Sequence, residues 1–232
     1  MREIVLDTET TGLDPATGDR LVEIGCVELA NHIPTGRIWH QYFNPERDMP
    51  EGAFKVHGLS AEFLADKPLF AELAGDFLEF VSGADLVIHN AAFDTGFLNA
   101  ELARIERPPL PADRIIDTLA MARRKHPSGG NSLDALCRRY GIDNSARTRH
   151  GALLDAELLA EVYLELRGGR QANLTLVGTE AQKTALAAAD RPASRPGPLP
   201  ARLGADDEAA HRAAVEALGA NAIWSRYGTG RD

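Results

Sequence analysis

Two acids stand two residues apart in the segment VLDTETTGL, Asp7 and Glu9. Side chains two apart in an extended strand share one face and lie about 7 Å from each other. An apolar strand interior gives no reason for paired acids, whereas solvent or a cation does. Alone, the pair also fits a solvated strand end, although the apolar run before it suggests a central strand. In HNAAFD, Asp94 falls in the first turn of a helix that follows the strand-like DLVIH, where the helix dipole favours an ionised carboxylate. Asn90 is expected to cap that helix, and Phe93 and Phe97 read as core. Asp94 by itself also reads as an ordinary helix-start acid. In HGALLDA, His150 precedes a strong helix and Asp155 lies one turn in, among Ala and Leu. An acid there is costly unless it is paired or binds a metal. A lone histidine in that place is otherwise a cap or a surface group. Together these segments supply four carboxylates and a histidine. Hard divalent cations take oxygen ligands, and acids gathered around two ions suit phosphoryl chemistry.

The elements that must position these groups follow from periodicity. Residues 2–7 read as a strand running into polar TETTG. Residues 21–29 and 37–44 alternate in polarity, which predicts a three-stranded antiparallel meander. Beyond His57 the period becomes helical, with Leu69, Leu73, Phe77, Phe80 and Val81 over residues 68–82. Short strands at 85–89 and 115–117 then alternate with helices at 91–105, 117–126, 132–140 and 151–167. Strands first, then alternating strand and helix, predict an α/β fold with a mixed sheet flanked by helices.

Composition narrows the function classes less than the motifs do. The chain has 232 residues, 44% of them hydrophobic, 25% charged and 6% aromatic, so a wholly disordered or fibrous protein is excluded. No apolar run approaches the roughly 18–20 residues of a membrane span, so no membrane partner is expected. The first residues lack the pattern of an export signal, which predicts a cytoplasmic protein. Cys26 and Cys137, among apolar neighbours, read as buried thiols in a reducing compartment. Residues 1–167 hold 17 Lys and Arg against 27 Asp and Glu, while residues 168–232 hold 8 against 7. An acidic body usually argues against a nucleic-acid partner. A carboxylate site that holds divalent cations reverses the local sign. The motifs decide.

VLDTETTGL, HNAAFDTGFL and HGALLDA, in that order and at these separations, resemble the three motifs of the DEDDh 3′–5′ exonucleases. MPEGAFKVHGLS resembles the family's segment between the first two motifs. The resemblance spans residues 1–167 and implies a ribonuclease H-like fold, a mixed five-stranded sheet flanked by helices. It implies that Asp7, Glu9, Asp94 and Asp155 hold two Mg²⁺ or Mn²⁺ ions about 3.5–4 Å apart around the scissile phosphate. One ion would activate a water and the other would stabilise the leaving 3′ oxygen. His150, in place of the tyrosine of a sister branch, would be the general base. Asp7, Thr8, Glu9, Thr10 and Asp155 would contact the 3′ end of DNA, and His57 would approach it. Relatives carry a glutamate five residues before that histidine. Here the position is Gly52, with Glu51 beside it, so His57 is the contact the segment supports. A stand-alone exonuclease acting on RNA or single-stranded DNA is the rival within the family. A non-catalytic binding module is the rival outside it, but loss of one of the five residues would mark such a module, and all five are present.

The tail separates the rivals inside the family. Residues 168–205 are rich in Gly, Ala, Arg and Pro, which predicts a flexible linker. Residues 206–218 recover a helical pattern opened by Asp206 and Asp207. Residues 206–232 then leave Leu218, Ile223 and Trp224 without a local core. This arrangement is similar to that of the family's proofreading members, whose tail binds the polymerase III alpha subunit. Gln171, Leu174 and Leu176, within QANLTL at 171–176, resemble peptides that bind the sliding clamp. The resemblance therefore implies proofreading in DNA replication.

Overall fold

The computed structural model describes residues 1–169, save 146 and 148, and residues 204–219. The chain divides into two units, Met1–Leu174 and Thr175–Asp232. The first unit is built on strands β1 (Arg2–Thr10), β2 (Leu21–Ala30), β3 (Ile33–Tyr42), β4 (Asp85–Ile88) and β5 (Ile115–Asp117). They form a five-stranded sheet in the order β3-β2-β1-β4-β5. β1 pairs antiparallel with β2 and parallel with β4, so the sheet is mixed and β1 is central. Its helices are α1 (Glu51–His57), α2 (Ala61–Leu64), α3 (Phe70–Val81), α4 (Ala91–Arg104), α5 (Thr118–Lys125), α6 (Leu133–Tyr140) and α7 (Ala152–Leu166).

Strand alternation sends successive side chains to two cores. Ile4, Leu6, Ile24, Leu86 and Ile88 pack with Phe70, Phe77, Phe97 and Leu98 of α3 and α4. Val5, Val27, Leu29 and Val87 pack with Ala122, Leu136, Cys137, Leu159 and Tyr163 of α5, α6 and α7. The same alternation carries Asp7 and Glu9 onto the α7 side and Thr8 onto the α4 side. α7 comes close to the sheet because it presents Ala152, Ala156 and Ala160, all buried. Across from it, Gly25 pairs with Asp7 in the β1–β2 ladder. Cys26 and Cys137 are buried free thiols.

The expected elements are present with three differences. β1 continues to Thr10, so the acids lie within the strand and not beyond its end. β3 begins at Ile33, before the expected residue 37. A two-residue turn at Asn31 and His32, both at positive φ (51° and 68°), has the sign pattern of a type I′ hairpin. Pro34 disguises the strand and is tolerated because β3 lies at the sheet edge. α1 and α2 were not anticipated: they are short, and α1 buries His57 alone.

In the second unit, α8 (Ala205–Leu218) has no buried residue, and Leu218 is 59% exposed. Gln171, Leu174, Leu176, Ile223 and Trp224, with most of the expected linker, lie outside the described residues. Among the described residues no helix is long and apolar enough to cross a membrane.

Candidate active site

β1 and β4 are parallel, and a cleft of about 1100 Å³ opens at their carboxyl ends, the usual place for sites in such sheets. Its lining includes Asp7, Glu9, Asp94, His150 and Asp155, so the three motifs meet in one place. β1 supplies the first two acids. After β4 the chain turns at Asn90, whose left-handed backbone (φ 65°) delivers Asp94 into the first turn of α4. Asn90 makes no side-chain cap, contrary to the sequence expectation. Thr8, on the opposite face from Asp7, donates its hydroxyl to Asp94 Oδ1 at 2.7 Å and so ties α4 to β1. Asp155 is 2% exposed on α7, and the His150 amide donates to the Val56 carbonyl of α1 at 3.2 Å.

The acids sit where their own charge is costly. Asp7 is partly open to the cleft yet closely surrounded by protein, and burial, then Asp94, Glu9 and Asp155, raise its carboxyl well above the ordinary range. Glu9 is pushed up to about 8 by burial, then by Asp155 and Glu23. Asp94 rises to about 7 through burial, with the Thr8 hydrogen bond pulling the other way. Such a cluster favours either protons or a cation. Asp155 differs: burial would raise it, but hydrogen bonds from Arg147 outweigh that and hold it below the usual carboxylate range. Donor atoms of Glu9, His150 and Asp155 all lie within 4.8 Å of one another, a grouping able to hold a metal ion.

The remaining expected residues are also placed at the cleft. Thr10 lines it, but its hydroxyl donates to the Gly12 carbonyl at 2.6 Å and so holds the turn after β1. His57 accepts the Leu59 amide at Nδ1 (3.1 Å), which puts the ring proton on the buried Nε2. Nε2 makes no well-aligned hydrogen bond among the described residues, although the Thr10 carbonyl lies close to the ring. Burial lowers the pKa of this imidazole. Gly52 lines the cleft, whereas Glu51 pairs outward with Lys55 at 2.6 Å. Sequence reading missed Arg147 and Asp134, which both line the cleft and bond each other at 2.8 Å. The available signal was a cation three residues before His150 in an otherwise acidic constellation.

Fold and cleft are shared with known exonucleases. The profile of the family described as Exonuclease matches residues 4–163. The DNA polymerase III subunit epsilon of Rickettsia felis is 55% identical over 190 residues, covering 81% of this chain and 83% of that protein. That of Escherichia coli is 44% identical over 235 residues, covering 96% and 97%. The nuclease domain of 3′hExo, a DEDDh family member solved with rAMP, matches with TM-score 0.63 and 17% identity over 72% of this chain and 91% of that one. This chain belongs to the exonuclease family, among the DNA polymerase III epsilon subunits. It is a 3′–5′ exonuclease.

Proposed function

We propose that the chain proofreads for a bacterial replicative polymerase, removing the terminal nucleotide from a DNA 3′ end with two Mg²⁺ or Mn²⁺ ions. The observation that carries this is the meeting of Asp7, Glu9, Asp94 and Asp155 in one cleft, three of them with pKa values raised by burial. Oxygen donors that resist ionising together suit hard divalent cations. When bound, the ions supply Lewis acidity at the scissile phosphate and offset the charge that develops there. Asp7 and Glu9 hold one side of the metal site from a rigid central strand. Asp94, kept in place by Thr8, and Asp155, kept by α7, close the other. His150 takes the proton of the attacking water at Nδ1, the ring nitrogen 3.2 Å from Asp155 Oδ2. His57 offers its Nε2–H to the substrate, and the Thr8–Thr10 backbone lines the seat of the terminal nucleotide.

The partners follow from kinship with the epsilon subunits. The tail is assigned to the polymerase III alpha subunit, and residues 171–176 to the sliding clamp. The test is release of single nucleotides from the 3′ end of a 5′-labelled primer with a mispaired terminus, together with stoichiometric co-purification of the polymerase catalytic subunit. Cleavage from the 5′ end, or activity that survives exhaustive chelation, would end this reading.

A further inference from the structure

Arg147 lies within the carboxylate cluster, its side chain 7% exposed. Its Nε donates to Asp155 Oδ1 at 2.5 Å and its Nη2 to Asp155 Oδ2 at 2.6 Å, so both oxygens of that acid are taken by one guanidinium. Nη1 donates to Asp134 Oδ1 at 2.8 Å, and Asn144 Nδ2 donates to the same oxygen at 3.0 Å. Nη2 also lies 2.7 Å from His150 Nδ1. A guanidinium has donors only, so towards Arg147 this nitrogen accepts, and in that tautomer it has no proton to give Asp155 Oδ2, 3.2 Å away.

We propose that Arg147 is a built-in counter-cation: it competes with divalent metal for Asp155 and covers the base nitrogen of His150 until metal arrives. The inference rests on the metal-site reading above. A bidentate arginine–carboxylate pair is among the stronger polar contacts in proteins, and it uses the oxygens a metal ligand would offer. A divalent ion at Asp155 would also face a neighbouring positive charge. Metal binding and the Arg147–Asp155 pair are therefore mutually weakening, as two ligands with a negative coupling are. In the metal-free chain the same pair places a positive charge among the acids and so offsets their mutual repulsion. Moving the guanidinium off Asp155 also frees Nδ1, so one displacement loads the metal and exposes the base. Arg147 is thus a positioning residue that ties base availability to metal occupancy.

The test is Mn²⁺ titration of the full chain without nucleic acid, by calorimetry, for the parent, R147Q and R147K. R147Q should bind Mn²⁺ on the order of tenfold more tightly, within the usual range of such couplings, and R147K should fall between. In chelator R147Q should melt below the parent, and saturating Mn²⁺ should close the gap. Unchanged or weaker Mn²⁺ binding by folded R147Q overturns the inference and leaves the metal site standing. A parent chain that takes up no Mn²⁺ overturns both. Should R147Q fail to fold, the parent alone decides by nitrogen-15 NMR of the Arg147 Nε–H. That proton should be protected in chelator and exchange freely at saturating Mg²⁺. Protection that persists with Mg²⁺ bound overturns the inference.

Discussion

The backbone of Ala152 rests on Gly25: a methyl group built on that glycine would stand 2.3 Å from the Ala152 carbonyl carbon. Gly25 pairs with Asp7 across the β1–β2 ladder. The glycine thus lets the first turn of α7, with Asp155 one turn in, settle beside the acids of β1. Gly25→Ala should lift that turn while most of the core stays intact. Misplacement by about 1 Å commonly costs about a hundredfold in rate, and overpacking costs roughly 1–3 kcal/mol. Nucleotide-release kinetics and a melting curve check both numbers. A variant with parental turnover would show that α7 tolerates the displacement.

The raised carboxyls give metal-free stability a definite pH dependence. Glu9 at about 8 and Asp94 at about 7 both exceed the ordinary carboxylate value near 4. Acids with folded pKa values above unfolded ones contribute most to stability below about pH 4, and that contribution is lost as pH rises through 7 and 8. In chelator, melting temperature should therefore fall between about pH 5 and pH 8. Saturating Mg²⁺ should remove most of the slope, because the ion replaces the protons, and binding at pH 7 should release protons into weak buffer. Identical slopes with and without Mg²⁺ would mean that the acids do not bind the ion as a cluster.

His150 stands 48% exposed at the cleft while Asp155 beneath it is buried. As a general base it should be worth about 10²–10⁴ in turnover, the usual contribution of such a group. His150→Ala should lose that factor in single-turnover release of the terminal nucleotide while retaining Mn²⁺ affinity. Its donor atom also falls within the grouping formed with Glu9 and Asp155. A loss of Mn²⁺ affinity matching that of Asp155→Ala would therefore make the histidine a ligand and remove it as the base.

Much of this site was legible because its acids break periodic patterns. Asp7 and Glu9 follow an apolar run in a central strand, and Asp155 interrupts an apolar helix face, so each is conspicuous in sequence. The same patterns located all five strands and α3 to α7. What stayed hidden has no period to break. Arg147 sits in an irregular turn, where an arginine three residues before a histidine looks like any surface cation. α1 spans only Glu51–His57 with one buried side chain, too little for a stripe. The tie from Thr8 was invisible for another reason: its hydroxyl meets Asp94 across 86 residues of chain, which local spacing does not encode.

The end of α7 marks where the nuclease unit can be cut from its tail. Gly168 and Gly169 both have positive φ, and the Gly169 amide donates to the Leu164 carbonyl at 2.9 Å, closing the helix. A cut after Gly169 keeps this cap, whereas a cut after Arg167 removes it. Among the described residues, the lining of the nuclease cleft comes from positions 7–155. The truncated chain should therefore release nucleotides from short single strands at nearly the parental rate. The lost segment carries α8, which buries none of its own residues, and the apolar Ile223 and Trp224 beyond it. An apolar set without a core of its own in the sequence suits the surface of a partner. Truncation should abolish stable association with the polymerase catalytic subunit, measured by co-elution. Trp224→Ala should weaken it markedly, because tryptophans are enriched among the residues that dominate interfaces. Gln171→Ala combined with Leu174→Ala should spare polymerase binding and reduce clamp binding alone. Polymerase binding by the truncated chain at parental affinity would make the tail a passive linker and move the docking surface onto the nuclease unit.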